Sequence, residues 1–181
     1  MMYILGFLLL LVIIYIYFYN QLNSERQSVI QSWSDIDVQL NRRHDLIPNL
    51  VRVVKAYASY EKTLLEELVD LRTKALSIPA QDISSKAVVE QQVSSVITNV
   101  LAVVEKYPDL KADSGFLKLQ DELTRTEDEI ASSRRIYNEN VAEYLTHLQS
   151  FPSGIIASLQ NFPRFSYFQN NSAANGQESQ P

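Results

Sequence analysis

Cysteine is absent from the 181 residues, and glycine (4), methionine (2) and histidine (2) are scarce. A chain without cysteine has no disulfide framework, no thiolate metal ligand, no catalytic thiol and no lipid-modified cysteine. It is compatible with a reducing compartment. So little glycine leaves no Gly-rich phosphate cradle, and no Gly-x-Ser-x-Gly elbow occurs. Neither His44 nor His147 has a glutamate three residues before it, so the Glu-x-x-His pattern of carboxylate-bridged metal bundles is missing. Both histidines are expected to be partly solvated, His44 beside Asp45 and His147 one helical turn from Glu143. A net charge of -5 without a basic stripe argues against nucleic acid as a partner. No alternating β pattern, hairpin signal or fixed-period repeat is visible. These absences point away from an enzyme and from any resident cofactor or metal.

What is present begins with a run free of charge and proline, from Met1 to Tyr19. About 20 apolar residues in a helix cross the hydrocarbon layer. Tyr3 stands near one end, and Tyr15, Tyr17 and Tyr19 near the other, where amphipathic rings favour the interface. A cleaved signal peptide would need a basic leader and a small-x-small cleavage site, and neither is there. Residues 1–21 therefore read as a single-pass transmembrane anchor that meets membrane lipid. The basic residues Arg26, Arg42 and Arg43 all follow the anchor. The positive-inside tendency places the body in the cytoplasm and the short N-terminus outside, with the opposite orientation left open.

Residues 22–151 read as an all-α body. Leu22, Val29, Trp33, Ile36 and Leu40 form one helical stripe. Pro48 then removes a backbone donor and crowds the carbonyl of His44. The chain is expected to kink or turn at residues 44–47, with Asp45 placed to cap the next helix. Leu50, Val54, Leu64, Leu68, Leu71 and Ala75 mark a second helix, closed by residues 77–82. Val89, Val93, Val96, Val100 and Val103 mark a third, ended by Pro108. A fourth, capped by Asp113 or Ser114, runs about 37 residues, or about 55 Å, to Pro152. If the chain reverses at Pro48, the result is an antiparallel up-and-down four-helix bundle, which the segment lengths favour. If it only kinks, the result is three helices with a very long first one. Residues 152–168 form an aromatic amphipathic segment expected to fold back on the bundle end, with membrane contact the rarer alternative. Residues 169–181, rich in Asn, Ser, Gln and Ala, are expected to be disordered.

The candidate functional residues form a polar cluster. Asp35, Asp37, Arg42, Arg43, Asp45 and Asn49 precede or flank Pro48. Glu122, Glu129, Arg134, Arg135 and Asn138 lie on the fourth helix. Charges this close to apolar stripes persist only when paired. Some Arg–carboxylate pairs between the first or second helix and the fourth are expected; most of the cluster reads as a solvated face, and the alternatives are that it fixes register, meets a partner or binds a ligand. No catalytic, cofactor-binding or metal-binding residue is assigned.

The stretch from Ser32 through Trp33-Ser34-Asp35-Ile36-Asp37-Val38-Gln39-Leu40, Arg42-Arg43 and Asp45-Leu46-Ile47-Pro48-Asn49-Leu50-Val51 resembles the signature of the LemA family. Val54-Lys55-Ala56-Tyr57-Ala58, the run from Leu110 to Leu123, Arg135-Ile136-Tyr137-Asn138 and Phe151-Pro152-Ser153 match it in order, so the likeness covers about residues 1–168. Ala56 and Tyr60 depart from the more usual Gly and His. The resemblance implies a bacterial, membrane-anchored bundle of four helices and brings no agreed molecular role. The expected function is a non-enzymatic interaction or scaffold module at the membrane surface, with a protein partner or self-association. The alternative is a lipid-interacting or envelope-stress module that responds to membrane state.

Overall fold

The structure is a computed structural model that describes residues 1–58 and 60–168. The tail at 169–181, expected to be disordered, lies outside the described residues. The fold is all-α, as expected. The helices are α1 (Met2–Tyr57), α2 (Lys62–Ser77), α3 (Ile83–Val104), the single turn α4 (Pro108–Lys111), α5 (Ser114–Gln149) and α6 (Ser153–Leu159).

The reversal at Pro48 that an antiparallel four-helix bundle requires does not occur; the chain follows the other course open to it, one very long first helix. α1 is one helix of 56 residues with Pro48 inside it, about 84 Å long at 1.5 Å per residue. The first turn comes later, between Tyr57 and Lys62, so Asp45 is mid-helix and caps nothing. A proline is tolerated inside a helix when another donor reaches the carbonyl it leaves unpaired. Arg72 on α2 supplies that donor: its Nε donates to the backbone oxygen of His44 at 2.8 Å. The other starts follow local chemistry. Asp82 caps α3 by accepting from the Ser85 amide, and Asp113 caps α5 by accepting from the Phe116 amide. Pro108 occupies the first turn of α4, where its missing N–H costs nothing.

The contacts set the directions. Arg42 meets Glu122, and Ser28 accepts from Asn140, so α1 and α5 run antiparallel and form the main seam. Asp37 meets Lys86 and Arg43 meets Glu90, so α3 runs parallel to α1. Two apolar cores stack along this frame. The distal core is filled by Ile47, Leu50 and Val54 of α1, Leu65 and Leu68 of α2, Val93 and Val100 of α3, and Phe116 and Leu123 of α5. The proximal core, nearer the N-terminal segment, holds Val29, Ile36 and Leu40 of α1, Ala87 of α3 and Ile130, Tyr137, Val141 and Tyr144 of α5.

α2 ends before the proximal core, and the C-terminal chain covers that core instead. After α6, Asn161 takes a φ of 51°, a left-handed conformation that asparagine tolerates, and the chain turns back along the α1–α5 seam. Tyr144 and Tyr137 donate to the carbonyls of Pro163 and Ser166. Asn138 brackets Phe168 by donating to its carbonyl and accepting from its amide. Phe165 packs on Tyr144, and Phe168 on Trp33. The many late tyrosines thus fasten this strap, and burial pushes the Tyr137 phenol up to about 12.

Before Tyr15, α1 projects alone. Its side chains from Met1 to Tyr17 are all exposed, and none of its most apolar window is buried in the protein. A bare apolar helix of this length suits a membrane anchor. α3 is also long and apolar enough to cross a membrane, but its Val93, Val96 and Val100 lie in the distal core and its Lys86 and Glu90 are paired with α1. It is a core helix of the body.

Candidate functional site

Between the two cores lies a layer of charge. Leu40 and Ile47 flank Arg43 and His44 on α1, Ala87 and Val93 flank Glu90 on α3, and Leu123 and Ile130 flank Glu127 on α5. Arg43, His44 and Glu90 are buried at stripe positions; on α5 that position is Thr126, and Glu127 beside it reaches Arg43 from the edge. Arg43 is 1% exposed. Its Nη2 donates to Glu90 Oε2 at 2.6 Å and to the Glu90 carbonyl at 3.2 Å. Its Nη1 donates to Glu127 Oε1 and to Ser94 Oγ. The other Glu90 oxygen lies 2.9 Å from His44 Nε2. Just below, Lys86, itself buried, pairs with Asp37.

Burial works against a charge on Glu90, but the hydrogen bond from His44 and the Arg43 charge outweigh it. The carboxyl is held below its ordinary value of 4.5. An ionised Glu90 needs a donor from His44, which places a proton on Nε2. His44 Nδ1 and Arg43 Nε are buried and have no hydrogen-bond partner in the protein.

The residues singled out from the sequence divide in two. Arg42, Arg43, Asp37, Glu122 and Asn138 make interhelical or strap contacts. The Arg42–Glu122 pair spans 2.7 Å with both side chains more than 40% exposed. Asn49 only accepts from Arg52 on its own helix. Asp35, Asp45, Glu129 and Arg135 are exposed and form no ion pair with any described residue. His44 departs from expectation: it is buried, not partly solvated. His147 is part-exposed as expected, but the carboxylate it faces is Glu25 of α1 at 2.6 Å, not Glu143. Sequence reasoning missed Glu90, Glu127, Lys86, Ser94 and Arg72. Glu90 carries a readable signal, a carboxylate at an apolar stripe position in register with an arginine on another helix.

A cavity of about 200 Å³ opens beside the charged layer, lined by Arg43, Glu90, Ser94, Glu127 and Arg134. Arg43 is matched by two carboxylates, and Glu90 by two donors, so the layer is spent on itself. Among the described residues no group of three or more His, Cys, Asp or Glu could hold a metal ion. Sliding α1 against α3 by one turn would leave a buried charge unpaired, a change that costs several kcal/mol.

The sequence profile of the LemA family matches residues 32–180. The chain belongs to the LemA family. It is 25% identical over 170 residues to Protein LemA of Metamycoplasma hominis, covering 92% of this chain and 77% of that protein. It is 22% identical over 175 residues to Magnetosome protein MamQ 2 of Paramagnetospirillum magneticum, covering 83% of this chain and 64% of the relative. Magnetosome protein MamQ of Magnetospirillum gryphiswaldense is 22% identical over 160 residues, with 75% of this chain and 58% of the relative covered. The chain thus spans less than two thirds of the length of these MamQ relatives. The matched region of the family profile takes in the charged layer, the α1–α5 seam and the strap.

Proposed function

We propose that this LemA family chain is a single-pass, non-enzymatic interaction module that holds a rigid helical body against a membrane. The observation that carries this reading is the unbroken course of α1 from the exposed apolar segment into both cores. A helix that is anchor and core element at once transmits the position of the membrane directly to the body. The body then faces the cytoplasm, because the basic residues flank the anchor on that side. Its membrane contact is through residues 1–21, and its function is to meet a protein, either a separate partner or a second copy.

One surface open to that contact is a groove of about 290 Å³ between the end of α1 and α2, lined by Val51, Lys55, Lys62, Leu65, Val69 and Asp70. It lies about 45 Å along α1 from residue 21 at 1.5 Å per residue. A photo-crosslinking residue at Val69, compared with one at Val38 on the exposed face, tests the proposal in intact membranes. A discrete adduct or dimer from Val69 alone supports it. No adduct from Val69, or equal labelling from both, contradicts it. Release of the protein by carbonate washing would contradict the anchor itself.

A second reading, a module that responds to membrane state, is favoured by one further observation: the apolar face of α6 lies beside the anchor.

A further inference from the structure

α5 runs antiparallel to α1, so its C-terminal end is the part of the body nearest the anchor. The turn at Phe151–Pro152 and α6 lie at that end. The inner face of α6, Ile156 and Ala157, packs with Leu22 and Phe18 of α1. Gln160 reaches further down, donating to the Tyr15 hydroxyl at 2.8 Å, and Phe162 meets Tyr19 edge to face. α6 is therefore held alongside residues 15–22 of α1, where the anchor leaves the hydrocarbon.

The opposite face of α6 is apolar and bare. Ile155 and Leu159, one turn apart, are 54% and 69% exposed, and Phe151 just before them is 86% exposed. Beside this face is a polar notch of about 190 Å³ lined by Tyr19, Asn23, Arg26, Gln160 and Asn161. The Arg26 Nε is buried there without a hydrogen-bond partner in the protein. Counting from residue 21 at 1.5 Å per residue, Arg26 stands about 7 Å beyond the hydrocarbon edge, within the headgroup layer. An apolar face at the hydrocarbon edge with a cation at phosphate height is the pattern of an interfacial membrane contact.

We infer that α6 is a second membrane contact: Phe151, Ile155 and Leu159 seat in the interface of the bilayer that the anchor crosses, with a lipid headgroup phosphate over the Arg26 notch. The inference rests on the membrane-anchor reading of α1. It gives the body a fixed tilt and height, because two points of attachment replace one.

The test uses the full chain in phosphatidylcholine–phosphatidylglycerol vesicles. Since the chain has no cysteine, a nitroxide is attached to one introduced cysteine at a time: Ile155→Cys, Leu159→Cys, Leu9→Cys in the anchor and Val38→Cys in the body. Collision rates with oxygen, which enters lipid, and with a neutral nickel chelate, which does not, are compared. The expected result is an oxygen-to-nickel ratio at Ile155 and Leu159 severalfold above that at Val38, approaching that at Leu9. If Ile155 and Leu159 match Val38 while Leu9 remains lipid-exposed, the α6 contact is overturned and the anchor stands. If Leu9 also collides freely with nickel, both readings are overturned.

Discussion

Arg72 donates to the backbone carbonyl of His44 at 2.8 Å, the carbonyl that Pro48 leaves without its helical partner. This contact from α2 lets α1 run through a proline and ties the second helix to the first at the level of the charged layer. A local rule that forecasts a break is answered by a donor from elsewhere in the chain.

Removing that donor should expose the cost. Arg72→Met leaves a half-buried carbonyl unpaired, a loss of about 1–3 kcal/mol. In a Pro48→Ala background the alanine N–H restores the helical bond, so the same substitution should cost measurably less. Thermal unfolding of the full chain in mild detergent, followed by circular dichroism, checks the double-mutant cycle. Equal costs in the two backgrounds would show that Arg72 has no bearing on Pro48.

The adjacent arginines should behave differently. Arg42 pairs with Glu122 at the surface, and such pairs contribute about 0–1 kcal/mol, so Arg42→Ala should leave the unfolding midpoint nearly unchanged. Arg43→Ala strips a buried carboxylate of its partner and should cost about 3–5 kcal/mol. The combined Arg43→Met, Glu90→Leu variant should recover most of that loss. The same unfolding measurement separates the three.

The Glu90 carboxyl titrates below its ordinary value. A depressed carboxyl stabilises the folded state above its unfolded pKa, and that contribution disappears as pH falls through the folded value. Stability should therefore fall on acidification from about pH 4.5 downward. Glu90→Gln, less stable at neutral pH, should show a shallower fall over the same range. Parallel pH profiles for the two proteins would contradict this.

Tyr137 and Tyr144 hold the strap by its carbonyls. Replacing both by phenylalanine keeps the ring packing and removes two hydrogen bonds, each worth about 0.5–1.5 kcal/mol. The strap should then open more often, and trypsin should cut after the exposed Arg164 faster, with little change at other sites. An unchanged rate at Arg164 would mean that the ring packing of Phe165 and Phe168 holds the strap by itself.

Much of this architecture is legible in the sequence. The charge-free run to Tyr19, the 3/4 spacing of Leu22 to Leu40 and of Phe116 to Tyr144, and the Asp113 cap each follow from local chemistry. Pro48 misleads because its compensation comes from Arg72, 24 positions away. The polar cluster was visible at Arg43 and Glu122, but its centre at Glu90 was not. A single carboxylate between Val89 and Val93 looks like part of a solvated face until the partner helix is known. Asp35, Asp45, Glu129 and Arg135 look equivalent to Arg43 in sequence, yet their positions on the helices turn them outward. The strap has no periodicity to read, since its course is set by carbonyls that accept from Tyr137, Tyr144 and Asn138.

The continuity of α1 is central to the proposed role, because it joins the apolar segment, the charged layer and the distal groove in one helix. The most direct measurement is a spin–spin distance between labels at Ser24→Cys and Lys55→Cys, both exposed positions on α1, in the full chain reconstituted in vesicles. A continuous helix separates these positions by about 46 Å at 1.5 Å per residue, and a single narrow distribution centred there is expected. A distribution centred near half that value, or one spread across both, would show a chain that turns at Pro48 and would contradict the rigid-body reading.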